Sequence, residues 1–89
     1  MRTYMVIERY RTGARPVYER FRARGRLMPE GVRYVASWVD EPLGTCWQVM
    51  EAERRELLDE WIAAWSDLVE FEVIPVLTSA QVSAAVFGG

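Results

Sequence analysis

The chain has 89 residues, enough for one domain that buries only about two-thirds of the surface its unfolded form exposes. It contains no His, no Lys and no Asn, which removes the usual neutral-pH base, the Schiff-base amine and the commonest imidazole metal ligand, and with them most catalytic recipes. All basic residues are Arg; nine lie in residues 1–33 against three acids (+6), and two lie in residues 34–89 against ten acids (−8), a split that two halves of one domain can neutralise between themselves.

Residues Thr3 to Tyr10 alternate, with Met5 and Ile7 on one side and Tyr4, Val6, Glu8 and Tyr10 on the other, and predict a strand. Thr12-Gly13 breaks it, Pro16 suits a first helical turn, and Val17, Phe21 and Met28 mark an apolar stripe, so a helix is expected over roughly Ala14 to Arg26. Pro29-Glu30-Gly31 ends that unit. Val32 to Asp40 alternates again, placing Tyr34, Ala36 and Trp38 opposite to Val35, Ser37 and Val39. Glu41-Pro42-Leu43-Gly44 reads as a hairpin turn into a strand over Thr45 to Glu51. Leu57, Leu58, Trp61, Ile62, Trp65 and Leu68 follow the three-and-four spacing of a buried helical face, in a helix starting near Glu53. From Val69 to Leu77 the period returns to two, with Phe71 and Val73 against Glu70, Glu72 and Ile74. Ser79 is a candidate cap for a short closing turn within a C-terminal extension over 76–89.

The order βαββαβ, with short loops and right-handed crossovers, is that of a ferredoxin-like α+β domain: a four-stranded antiparallel sheet with both helices on one face. Met5, Ile7, Val35, Val39, Val49, Phe71 and Val73 are assigned to the helix side. Tyr4, Val6, Glu8, Tyr34, Ala36, Trp38, Gln48, Met50, Glu70, Glu72 and Ile74 are assigned to the open side. A misread register would exchange the two faces of a strand. Large rings on an open sheet predict that a second copy covers them.

The segments Tyr4-Met5-Val6-Ile7, Pro29-Glu30-Gly31-Val32, Glu60-Trp61, Trp65-x-Asp67-Leu68 and Phe71-Glu72-Val73-x-Pro75-Val76-Leu77 resemble those of a small uncharacterised bacterial domain-of-unknown-function family. That family sits within the dimeric α/β-barrel superfamily. The resemblance implies a homodimer through the open sheet faces. In the wider superfamily it points to cofactor-independent monooxygenases, lactone isomerases, haem-degrading enzymes and ligand-sensing domains. This chain has no His for a haem iron and no Asn for the haem-degrading pattern.

Two carboxylates facing one cavity raise one another's pKa, as acid–base work needs, which makes Glu72 and Glu8 the candidate catalytic pair. The competing reading sets Glu8, Glu70 and Glu72 at the sheet rim, paired with Arg2, Arg9 or Arg33. Tyr4, Tyr34, Trp38, Gln48 and Met50 are the candidate ligand-binding residues, or else plain dimer core. Trp61 and Trp65 read as core, and Cys46, the single cysteine, as a small buried residue. Arg20, Arg22, Arg24 and Arg26 are spread around a helix and do not form a stripe; with a pI near 5.1, nucleic-acid binding is not expected. No metal spacing, cofactor fingerprint, membrane span or signal peptide is read from the sequence, and a cytoplasmic setting is expected. Two functions stand open: a small-molecule-binding homodimer, in the enzymatic case cofactor-independent and acting on a hydrophobic or aromatic compound, and a structural or regulatory homodimer whose barrel interior is packed.

Overall fold

The computed structural model describes residues 1–88. Strand β1 (Arg2–Tyr10) is followed by α1 (Ala14–Arg24), β2 (Val32–Val39), β3 (Thr45–Ala52), α2 (Arg55–Ala63), β4 (Val69–Val76) and α3 (Ser79–Val86). The sheet order is β2-β3-β1-β4, with every neighbouring pair antiparallel. This is the ferredoxin-like βαββαβ arrangement. Val17 of α1 and Leu58 and Trp61 of α2 share one core cluster with Tyr4, Val6, Met50 and Ala52. Since those strand residues lie on one sheet face, both helices cover that face and leave the other open.

Each helix stops for a local reason. Gly25, at φ 71°, turns the chain out of α1 while its N–H bonds the Phe21 carbonyl at 2.7 Å, a backbone shape that glycine adopts freely. Helix α2 ends before Trp65, where the Ser66 hydroxyl donates to the Ile62 carbonyl at 2.7 Å and competes for a group that would otherwise extend the ladder. The turn still brings Trp65 onto the core with Leu58 and Trp61. The β2–β3 turn is closed by Asp40, whose Oδ1 accepts from the backbone N–H of Gly44 at 2.9 Å and of Thr45 at 3.0 Å. Thr78, and not Ser79, caps α3: its hydroxyl accepts from Gln81 N–H while the Gln81 side chain accepts from Thr78 N–H.

Cross-strand partners share a face, so the ladders sort the residues into rows. Facing the helices run Val39–Cys46–Glu8–Phe71, then Ser37–Gln48–Val6–Val73, then Tyr34–Met50–Tyr4–Pro75. The open face carries Trp38–Trp47–Ile7–Glu72 and Ala36–Val49–Met5–Ile74. The expected alternation therefore holds in β1 and β3, but with the faces exchanged. Tyr4, Val6, Glu8, Gln48 and Met50 are buried under the helices, while Met5, Ile7 and Val49 lie on the open side. Glu8 was assigned to the open side, whereas it is a polar group enclosed in the core. Strand β2 departs for a second reason. A bulge between Tyr34 and Ala36 leaves Val35 unpaired and half exposed, so Tyr34 turns inward while Ala36 and Trp38 stay outward. Phe71, Val73 and Val39 lie on the helix side, and Glu70, Glu72 and Ile74 on the open side, as read from the sequence.

Candidate functional site

The inward rows meet the two helices around a cavity of about 120 Å³. Its floor is strand-borne: Glu8 and Tyr10 from β1, Cys46 and Gln48 from β3, and Ser37 from β2. Its walls are Val17, Tyr18 and Phe21 of α1 and the indoles of Trp61 and Trp65. Arg26 closes one side. The backbone of that residue is pinned because its carbonyl accepts from both indole N–H groups, Trp61 at 3.0 Å and Trp65 at 2.9 Å. Its guanidinium lies over the Tyr34 ring, 3.5 Å from the centroid, and 5.0 Å from that of Phe21. Rings on both sides hold the cation without consuming its N–H donors, and it makes no ion pair among the described residues. The Tyr34 hydroxyl shares a hydrogen bond of 2.8 Å with Ser37, a contact that the bulge creates by turning Tyr34 to the face that Ser37 already occupies.

Glu8 is 7% exposed, and its Oε2 has no hydrogen-bond partner. An enclosed carboxylate without partners favours its neutral form. Burial pushes its pKa from the ordinary 4.5 to about 7, against an opposing pull from the nearby Arg26 guanidinium. Burial, helped by the charge of Glu8, pushes the Cys46 thiol up to about 11, so it is protonated and inert as a nucleophile at neutral pH. Burial, then Cys46, Tyr18 and Glu8, push Tyr10 upward as well. Tyr10 and Cys46 therefore serve as donors, and Glu8 is the one cavity carboxylate poised to change charge near neutrality. A wider apolar groove between α1 and the β2–β3 turn, lined by Ala14, Val39 and Leu43, shares Tyr18 and Phe21 with the cavity. Those two rings, stacked edge to face with centroids 6.4 Å apart, form the partition between them. The groove is larger but shallow, and no buried carboxylate faces it.

The residues proposed from sequence are split between two places. Glu8 and Gln48 come together in the cavity, with Tyr34 behind Arg26. Tyr4 and Met50 are buried deeper in the same layer, where Met50 receives a hydrogen bond from Gln48 Nε2 at 3.0 Å. None of these five faces the open side to which alternation assigned them. Trp38 and Glu72 do, and Glu72 pairs with Arg9 at 3.2 Å, both half exposed. Glu8 and Glu72 thus lie on opposite faces of the sheet and form no carboxylate pair. Arg33 pairs with Glu51 across β2 and β3. The sequence reading did not assign Tyr10, Tyr18, Phe21, Arg26, Ser37 and Cys46 to a site. The spacing Cys46-x-Gln48 and Glu8-x-Tyr10 on adjacent antiparallel strands was the available signal, once the inward face was known.

Residues 2–89 match the family model of a domain of unknown function, DUF3303. The chain belongs to the DUF3303 family. No curated protein and no solved structure matches it. The DUF3303 match spans all four strands and both core helices, so the cavity and the open face both fall within the domain that defines the family. Among the described residues no helix is long and apolar enough to cross a membrane.

Proposed function

We propose that this DUF3303 domain binds a small hydrophobic or aromatic molecule in the cavity beneath its helices and acts as a homodimer through its open sheet faces. The buried, unpartnered Glu8 carboxylate carries this reading. Leaving such a group dry and unsatisfied costs on the order of 1–3 kcal/mol or more, and a ligand that bonds it recovers that cost. Ring walls with a few converging polar groups are the usual build of a small-molecule site. Glu8 is then the group that exchanges a proton, and Tyr10, Gln48 and Ser37 orient the guest, which is the set an enzyme without a bound cofactor would use. The dimer is supported by the open face, where Trp38 is 61% exposed beside Trp47 and where Ile74 on β4 is exposed as well, large apolar side chains of the kind that contact surfaces gather.

The test is a screen of single-ring compounds followed through the Trp61 and Trp65 indole N–H resonances, with sedimentation in parallel. Binding is expected to move both resonances, and a species of twice the 10.3 kDa chain mass is expected to give way to monomer in Trp38→Glu. A screen in which no compound disturbs either indole would assign the cavity to packing and favour a purely structural homodimer.

A further inference from the structure

We infer that the guest of this cavity is a single-ring weak acid, of the phenol class, held as its oxyanion on the Arg26 guanidinium after passing its proton to Glu8. The inference rests on the cavity being a ligand site and specifies what enters it.

Size sets the first limit. A dry apolar cavity of about 150 Å³ accommodates benzene, so 120 Å³ limits the guest to a single ring, whose substituents must project through the open side of the cavity. The Phe21, Trp61 and Trp65 walls suit the flat faces of that ring. Donors and acceptors set the second limit. Tyr10 and Ser37 can each offer a proton, and Arg26 brings five N–H donors in one plane, whereas the Cys46 thiol donates to Gln48 Oε1 and Glu8 is the one carboxylate of the cavity. A site so rich in donors fits an oxygen that accepts, and above all an oxygen that carries charge.

The two charged groups then divide the work. Glu8 is faced by Tyr10 from its own strand, Cys46 from β3, Tyr18 from α1 and Arg26 from the turn after α1; α2 and the turn after it add only the neutral indoles. An incoming phenol O–H meets the Glu8 carboxylate, which lines the cavity and whose enclosed Oε2 has no partner of its own. The O–H bond breaks toward Glu8, a new O–H bond forms on the carboxylate, and the electron pair stays on the ligand oxygen. Negative charge moves from Glu8 to the ligand, beside Arg26. No oxidant or metal enters this transfer, and the pair of negative charges that would repel each other never coexists. Because Arg26 is held by Tyr34 through its ring face and by the indoles through its backbone carbonyl, its side-chain N–H groups need not break other bonds to meet the oxyanion.

The probe is para-nitrophenol, which titrates near neutral pH and whose phenolate, unlike its phenol, absorbs in the visible. With the intact protein at pH 7, where about half of Glu8 is ionised and able to accept a proton, binding is expected to raise the phenolate band above that of the free probe and to move the Trp61 and Trp65 indole resonances. Arg26→Met, which leaves the carbonyl acceptor in place, is expected to abolish the added band and weaken binding about tenfold or more, the loss of one charge-assisted contact; Arg26→Lys is expected to restore part of it. Glu8→Gln is expected to bind phenolate supplied at alkaline pH at least as well as the native chain and to lose the proton uptake on binding. Binding of the probe as the neutral phenol, or an unchanged band in Arg26→Met, overturns the inference while the cavity remains a ligand site. The same holds if toluene shifts the indole resonances and para-nitrophenol does not. Failure of both compounds removes the ligand site and the inference together.

Discussion

Replacing Glu8 by Gln separates the cost of its charge from its shape. In the native fold this carboxyl holds its proton to about pH 7, against an ordinary 4.5. Between those values the folded chain binds more protons at this site than the unfolded chain does, so the Glu8 contribution to stability falls as pH rises. It is most favourable below 4.5 and fully lost above about 7. At about 1.4 kcal/mol per pH unit, the difference amounts to about 3 kcal/mol, which for a domain of this size corresponds to a Tm change of roughly ten degrees or more. Glu8→Gln imitates the protonated form at every pH. Its melting temperature is expected to match that of the native chain near pH 4.5 and to exceed it increasingly toward pH 8. Thermal melts of both proteins across this range give the difference, in which the effects of all other acids cancel. Parallel curves, or a Gln variant less stable than the native chain at pH 8, would refute the claim that Glu8 is desolvated.

Leu58→Ala should lower stability by about 2–5 kcal/mol, because Leu58 is fully buried and the vacated space cannot collapse; urea unfolding measures it. Gly31→Ala should cost more than about 1 kcal/mol, since Gly31 sits at φ 92° and a Cβ there would meet Leu57 Cδ1 at 2.7 Å. A melt within a degree of the native one would contradict that contact. Asp67 is held at about 2 by hydrogen bonds from Arg20, against an ordinary 3.8. Its contribution is therefore present above 3.8 and lost as pH falls toward 2, and Asp67→Asn should unfold with a shallower acid dependence in that window.

Element order, strand pairing and the core helices were legible because each rests on local pattern: period two in the strands, three-and-four spacing in Leu58, Trp61 and Trp65, and turn chemistry at Pro42 and Gly44. The choice of face in β1 and β3 was not legible. Met5 and Ile7 are as apolar as Tyr4 and Val6, so alternation alone could pair them but not orient them. Glu8, the one charge in the row, pointed the wrong way because its burial depends on side chains contributed by α1, β3 and the turn beyond α1. Cross-strand partners carried the missing information: Glu8 stands opposite Phe71, whose inward face was read correctly. Strict alternation misplaced Tyr34 for a different reason, since the extra residue at Val35 interrupts the period. Arg26 was read as one of four arginines spread around a helix, because its neighbours in space, Tyr34 and the two indoles, are remote in sequence and meet it only through the positive-φ turn at Gly25 and Leu27.

The Val35 bulge and Pro75 also govern what the rim of the sheet can do. Strands β2 and β4 are its two free margins, and an unprotected margin is a template on which further strands accumulate into aggregates. On β2 the unpaired residue bends the ladder, and Arg33 adds a charge. On β4 the proline offers no N–H, while Glu70 and Glu72 place two acids on the outward side. A fifth strand would meet a broken hydrogen-bond register on one margin and a missing donor on the other, so growth of the sheet sideways is opposed at both ends. Contact through the open face, where Trp38, Trp47, Ile7 and Val49 lie between the charged rows, meets neither obstacle, and a face, unlike a margin, is used up once it has been covered.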